Sequence, residues 1–223
     1  GTAVVKEVGE TGVVQQVKVS YTGSAVLLLV DGEEIVGAKQ NRVLNASFLV
    51  PPGPPVIIPV SCVEQGRWRY TSRGFSSSGR TISSRARSEK LRRVHHSVIT
   101  TSSYDADQGA VWNDVEDILQ RTHVSSSSMA YSDAAEARSV SVEDRLERLT
   151  PGASQQGLAV VHGDKVLFVD IFGTAELYQR AWRKVARGIL FEEFEPPLQQ
   201  GDARVAVQEA LRAAAGIPLV RTQ

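Results

Sequence analysis

Along the first third of the chain, apolar and polar positions alternate with a period near two. Val13, Val17 and Val19 share one parity across Val13–Ser20, and Gln16, Lys18 and Ser20 hold the other; this is the pattern of a half-buried strand. The turn signal Tyr21-Thr22-Gly23 precedes an apolar run, Ala25–Val30. Asp31-Gly32 then has the chemistry of a tight turn between hairpin strands. Further strands are predicted at Arg42–Val50 and Val56–Val63. Between them lies Pro51-Pro52-Gly53-Pro54-Pro55, a turn, because proline cannot donate a ladder hydrogen bond. Connections this short make an antiparallel meander the economical topology.

The stretch from Trp68 to Ser103 changes character. It is rich in Ser and Arg and poor in large apolar residues. Thr71–Thr81, with Gly74 and Gly79 bracketing a serine run, reads as a mobile loop. Ser83–Ser97 reads as a weakly periodic helix. The following half is more regular. In Asp107–Arg121, Val111, Trp112, Val115, Ile118 and Leu119 fall on one helical face. Ser141–Leu149 forms a short helix that stops before Pro151-Gly152. Leu158–Val161 and Lys165–Ile171 make a hairpin around Gly163-Asp164. Thr174 caps a helix that has Glu176 in its first turn and buries Tyr178, Ala181, Trp182, Val185 and Ile189. A last helix covers Ala203–Ala215 and ends at Gly216. The expectation is one α+β domain over residues 1–223: an N-terminal antiparallel meander, then a helix-rich half with a second β-hairpin. Gly152 is its weakest joint.

Composition narrows the function classes. The chain has 223 residues, 42% of them hydrophobic, which is enough for a sizeable core. The 25 basic and 25 acidic residues cancel, so global charge offers nothing to extended nucleic acid or to a membrane. No apolar run approaches the roughly 20 residues a membrane-spanning helix needs, and no signal peptide is visible. The single cysteine, Cys62, excludes an internal disulfide and favours a reducing cytoplasm. Metal binding has little support. His95 and His96 are adjacent and point about 100° apart on a helix, while His123 and His162 stand alone. Gly74-Phe75-Ser76-Ser77-Ser78-Gly79 misses the nucleophile-elbow spacing by one residue.

Candidate chemistry concentrates between Glu34 and Arg67. Glu34, Lys39, Gln40, Asn41 and Arg42 fall close together, Asn45 follows, and Ser61, Cys62, Glu64 and Arg67 lie beyond the proline turn. If the flanking strands pair across that turn, carboxylates, cations and amides converge at one sheet end, as in a site for a polar ligand. The plain alternative is a solvated hairpin edge with surface ion pairs of little energetic weight. A second feature is the basic run Arg67, Arg69, Arg73, Arg80, Arg85, Arg87, Lys90, Arg92 and Arg93. Its guanidinium groups suit phosphate, and Trp68, Tyr70 and Phe75 could stack bases. The alternative there is pairing with Asp105, Asp107, Asp114, Glu116 and Asp117. Cys62 reads either as a nucleophile near Glu64 and Arg67 or as a buried strand residue. Asp170 stands at a strand end before a helix, in a functional or a turn role.

Glu34, Gly37-Ala38-Lys39-Gln40-Asn41-Arg42, Asn45, Pro59-Val60-Ser61-Cys62-Val63-Glu64, Gly66-Arg67-Trp68, Asp107-Gln108 and Val111-Trp112 together resemble a prokaryotic family of unknown function, the ADP-ribosylglycohydrolase- and rhodanese-phosphatase-associated domain. The resemblance is specific across Gly32–Trp68 and thinner towards the C-terminus. It implies a gene context of enzymes that handle ADP-ribose and phosphate esters. On that basis the expected ligand is ADP-ribose-like or another phosphorylated nucleotide. The expected ligand-binding residues are Lys39, Gln40, Asn41, Arg42, Asn45, Ser61, Cys62, Arg67 and Gln108. Glu34 or Glu64 is the expected general base, because desolvation lifts a carboxylate towards neutral pKa. A non-catalytic protein-interaction module is the competing expectation, with the polar strip as its docking surface.

Overall fold

The computed structural model describes residues 1–9, 12–194 and 201–215. Eight strands come first: β1 (Ala3–Glu7), β2 (Gln16–Tyr21), β3 (Leu27–Leu29), β4 (Glu33–Gly37), β5 (Arg42–Leu44), β6 (Phe48–Val50), β7 (Val56–Cys62) and β8 (Phe75–Thr81). Helices follow as α1 (Ser84–Thr101), α2 (Gln108–Thr122), α3 (Tyr131–Ala137) and α4 (Ser139–Leu146). The hairpin β9 (Gly157–His162) and β10 (Lys165–Ile171) precedes α5 (Ala175–Leu190) and α6 (Ala203–Ala215). The α+β class is as expected. Gly216 lies outside the described residues.

The sheet is not a simple meander. Six strands close into an antiparallel barrel in the order β1-β2-β7-β5-β4-β8, while β3 and β6 pair only with each other. The chain therefore leaves the barrel at β3 and again at β6, and sheet neighbours are often distant in sequence. Asp31-Gly32 does turn, with the Glu33 N–H donating to the Val30 carbonyl at 3.1 Å. It does not join paired strands, because β3 before it pairs with β6 and β4 after it pairs with β5 and β8. The expected strand Arg42–Val50 is likewise two short strands, β5 and β6, with Asn45 between them.

The largest departure is Thr71–Thr81. Its second half is β8, which closes the barrel between β1 and β4. Small hydroxyl side chains gave this strand the composition of a loop. Its backbone is nevertheless paired on both edges, Phe75 is buried in the barrel core, and the Ser77 hydroxyl donates to Glu33 Oε1 at 2.7 Å.

Alternation around the ring produces two cores. Val17, Val19, Ile35, Leu44, Ile58, Val60 and Phe75 fill the barrel. Val43, Val63 and Ile82 face outwards and pack with Val94 of α1, Val111, Val115 and Ile118 of α2 and Tyr131 of α3. Asp107 caps α2 by accepting from the Ala110 N–H at 3.2 Å, and Thr174 caps α5 through the Leu177 N–H at 3.2 Å. α5 presses on β8 so closely that a Cβ at Gly188 would lie 2.1 Å from Thr81 Oγ1, which leaves glycine as the residue that fits. Arg87 of α1 ties the hairpin to the barrel, pairing with Asp31 at 2.6 Å and Asp170 at 2.8 Å. This gives Asp170 a structural partner.

Candidate functional site

The β5–β7 ladder sets Arg42 opposite Cys62, Val43 opposite Ser61 and Leu44 opposite Val60. The two halves of the polar strip therefore meet at one barrel mouth, across strands that the proline turn separates in sequence. Their side chains divide into a closed network and an open one.

The closed network centres on Glu64 and Arg67. Arg67 Nε and Nη2 donate to the two Glu64 oxygens at 2.8 and 2.6 Å. Glu64 also accepts from the Asn41 N–H at 3.0 Å and the Ser128 hydroxyl at 3.0 Å. The remaining Arg67 donors reach the Ala38, Arg69 and Gly37 carbonyls at 2.8, 2.9 and 3.3 Å and Asn41 Oδ1 at 3.2 Å. Arg67 is thus a clasp between the turn 37–41 and the segment after β7. The turn itself is strained: Ala38, a non-glycine, has φ 42°, and its carbonyl accepts from Arg67. Burial raises the Glu64 carboxyl, but the hydrogen bonds from Arg67, Asn41 and Ser128 outweigh it and hold the group below its ordinary value. A carboxylate so stabilised is a weak base.

Glu34 has the opposite electrostatics. It is fully buried, with Oε2 accepting from Arg80 Nε at 2.8 Å. Burial pushes its carboxyl above the ordinary value against the pull of Arg80. It lies on the outward face with Val43, its ladder partner, so it looks towards the helices. Of the two expected bases, Glu34 is shifted in the direction a general base needs and Glu64 in the opposite one.

Other strip residues act as fasteners. Gln108 of α2 clips β7, accepting from the Cys62 N–H at 2.7 Å and donating to its carbonyl at 2.8 Å. Asn45 accepts from the Ser61 hydroxyl at 2.8 Å and donates to the Tyr104 carbonyl at 2.8 Å, and its own carbonyl takes the Lys90 ammonium at 2.7 Å. The Cys62 thiol donates to the Glu64 carbonyl at 3.1 Å, and burial pushes its pKa up despite nearby Arg42. A protonated, enclosed thiol is not an activated nucleophile.

The open network lies beneath the aromatic roof. Arg42 shares the inward face with Leu44 and, across the ladder, with Ile35. Its Nη1 donates to the Gln40 carbonyl and side-chain oxygen at 3.2 and 3.1 Å, and Gln40 is itself held by the Glu64 carbonyl at 2.8 Å. Arg42 Nη2 stands 3.7 Å from Glu7 Oε1, an ion pair too long for a hydrogen bond. Among the described residues, Arg42 Nε and Nη2 and Glu7 Oε2 are buried with no hydrogen-bond partner. Above them the Lys39 ammonium sits 5.0 Å from the Trp68 ring and 5.1 Å from the Tyr70 ring, and the Trp68 ring is 5.8 Å from the Arg42 guanidinium. Trp68 and Tyr70 are each about half exposed. Sequence reasoning did not single out Glu7. The signal was available: Glu7 has the parity of Val5, which packs on the barrel core, so it is a carboxylate at an inward position.

The profile of the ARG and Rhodanese-Phosphatase-superfamily-associated Protein domain matches residues 1–219. The chain belongs to this family. No curated protein and no solved structure matches it. Among the described residues no helix is long and apolar enough to cross a membrane, and no three His, Cys, Asp or Glu side chains are grouped to hold a metal ion.

Proposed function

We propose that the family member described here binds a phosphorylated nucleotide or ADP-ribose-like ligand at the barrel mouth. One observation carries this reading: a buried arginine with two open N–H groups lies under an exposed pair of aromatic rings bridged by a lysine. Aromatic faces stack any base, and such contacts are worth about 1–3 kcal/mol per base. Lys39 lies against both rings, and Lys6, Arg69 and Arg73, close in sequence to Glu7, Trp68 and Tyr70, are exposed. They suit a phosphate in solvent reach. Glu64, Arg67, Asn41 and Gln40 in this reading build the mouth rather than touch the ligand.

Presentation of Trp68 and Tyr70 on the surface favours a second reading, a docking module without chemistry. A thermal-shift titration separates the two. Adenosine 5′-monophosphate or ADP-ribose at about 100 times its Kd raises stability by about 2.7 kcal/mol, and Trp68→Ala weakens binding about 5- to 150-fold. No shift with any nucleoside phosphate refutes the ligand reading and leaves the docking one.

A further inference from the structure

The open atoms at the mouth specify more than a charge. Arg42 presents its lateral edge, Nε and Nη2, because Gln40 holds Nη1 from below. That edge offers parallel donors to two adjacent oxygens. Glu7 Oε2, on the same ion pair, offers an acceptor. Gly12 packs against this carboxylate, where a Cβ would come within 3.1 Å of that oxygen. A simple oxyanion fits poorly, because it meets Arg42 favourably and Glu7 unfavourably. The two protein charges cancel, so the matching group is neutral and both accepts and donates.

We infer that Arg42 and Glu7 together recognise a vicinal diol, the ribose 2′- and 3′-hydroxyls of the ligand, with Arg42 Nε and Nη2 donating to the two oxygens and Glu7 Oε2 accepting a hydroxyl proton. This rests on the nucleotide reading above and names the part of the ligand that enters. Trp68 lies over Arg42 and is half exposed, so it is the side chain that must move for the sugar to enter. Phosphate stays outside on the basic rim, and the planar base stays on the aromatic rings. The pair reads sugar identity, a role separate from stacking.

The test is calorimetric titration of the intact protein with adenosine 5′-monophosphate, its 2′-deoxy analogue and its 3′-deoxy analogue. Each missing hydroxyl leaves a buried polar atom unpaired, so both deoxy compounds bind about 10- to 100-fold more weakly. In Glu7→Gln the difference between ribose and deoxyribose shrinks while stacking persists. Equal affinity for all three overturns the diol assignment and leaves the nucleotide reading standing. Absence of binding by all three overturns the diol assignment, and the nucleotide reading then stands or falls on the thermal-shift titration with ADP-ribose and the other nucleoside phosphates.

Discussion

Two acid–arginine pairs stand at the same barrel mouth and could hardly be less alike. Glu64 and Arg67 are joined by hydrogen bonds of 2.6 and 2.8 Å, with further partners for both groups. Glu7 and Arg42 stand 3.7 Å apart, and Nε, Nη2 and Oε2 lack partners among the described residues. Both arginines came from one polar segment and both suit an anion by residue type alone. The difference is valence. A guanidinium whose donors are spent on backbone carbonyls holds a loop, and one with an open edge under a half-exposed ring has bonds left to give. Side-chain identity marks where function concentrates; the hydrogen-bond count divides scaffold from site.

The largest effect expected from this contrast is on stability. Arg67→Met removes the clasp and leaves Glu64 a buried, uncompensated charge. The loss should be about 3–5 kcal/mol, read as a fall in the urea midpoint. Glu64→Gln should lose stability too, because one amide oxygen replaces two carboxylate oxygens that accept from Arg67, Asn41 and Ser128. A loss below about 1 kcal/mol for Arg67→Met would place the pair with ordinary surface ion pairs and erase the comparison.

Lys90 sharpens the same distinction in a third buried charge. It is fully enclosed, and its ammonium donates to the Asn45 carbonyl at 2.7 Å. Burial, aided by Arg87 and Arg93 and opposed by Asp31, pushes its pKa down from 10.5 to about 8. Between those two pH values the unfolded chain binds more protons than the folded one, so stability rises with pH. The gain from pH 8 to 10.5 is about 3 kcal/mol at 1.36 kcal/mol per pKa unit. Chemical denaturation across that window should show the rise in the wild type and lose it in Lys90→Met. A flat wild-type profile would mean that the Asn45 carbonyl and the Asp31 charge compensate the ammonium fully.

How much of this was legible in advance follows from where partners lie in sequence. Local patterns placed α2, α5 and the β9–β10 hairpin, because caps, faces and turns are set by near neighbours. Meeting of Arg42 with Cys62 was legible only in part, because the expected strand Arg42–Val50 is broken and β5, not the segment beside the proline turn, pairs with β7. Barrel closure was not, because β8 owes its strand state to β1 and β4, which are remote in the chain, and its serines carry no β signal. Nor was the short α3, whose N-cap Ala130 makes no side-chain capping bond. The division of the strip was illegible for the same reason: Ser128, Tyr104 and Glu7, which satisfy or leave open its groups, lie outside the segment.

The smallest effect expected is the one that bears most on function. Arg42→Met deletes a fully buried guanidinium whose Nη1 donates to Gln40 and whose Nη2 stands in a long ion pair with Glu7. Its desolvation is poorly repaid, and burial lowers its pKa despite nearby Cys62 and Glu7. An apolar side chain of similar length removes that cost but leaves the Glu7 carboxylate without its counter-charge. These terms oppose each other, so the net loss should fall short of the about 3–5 kcal/mol expected for Arg67→Met. Pairing the substitution with Glu7→Gln removes the residual charge, so the double variant should be at least as stable as Arg42→Met alone. Denaturant midpoints of the two single variants and the double variant measure this directly. If Arg42→Met instead unfolds the protein as severely as Arg67→Met, the Arg42–Glu7 pair is scaffold. The open edge would then be a feature of the core with no ligand to meet.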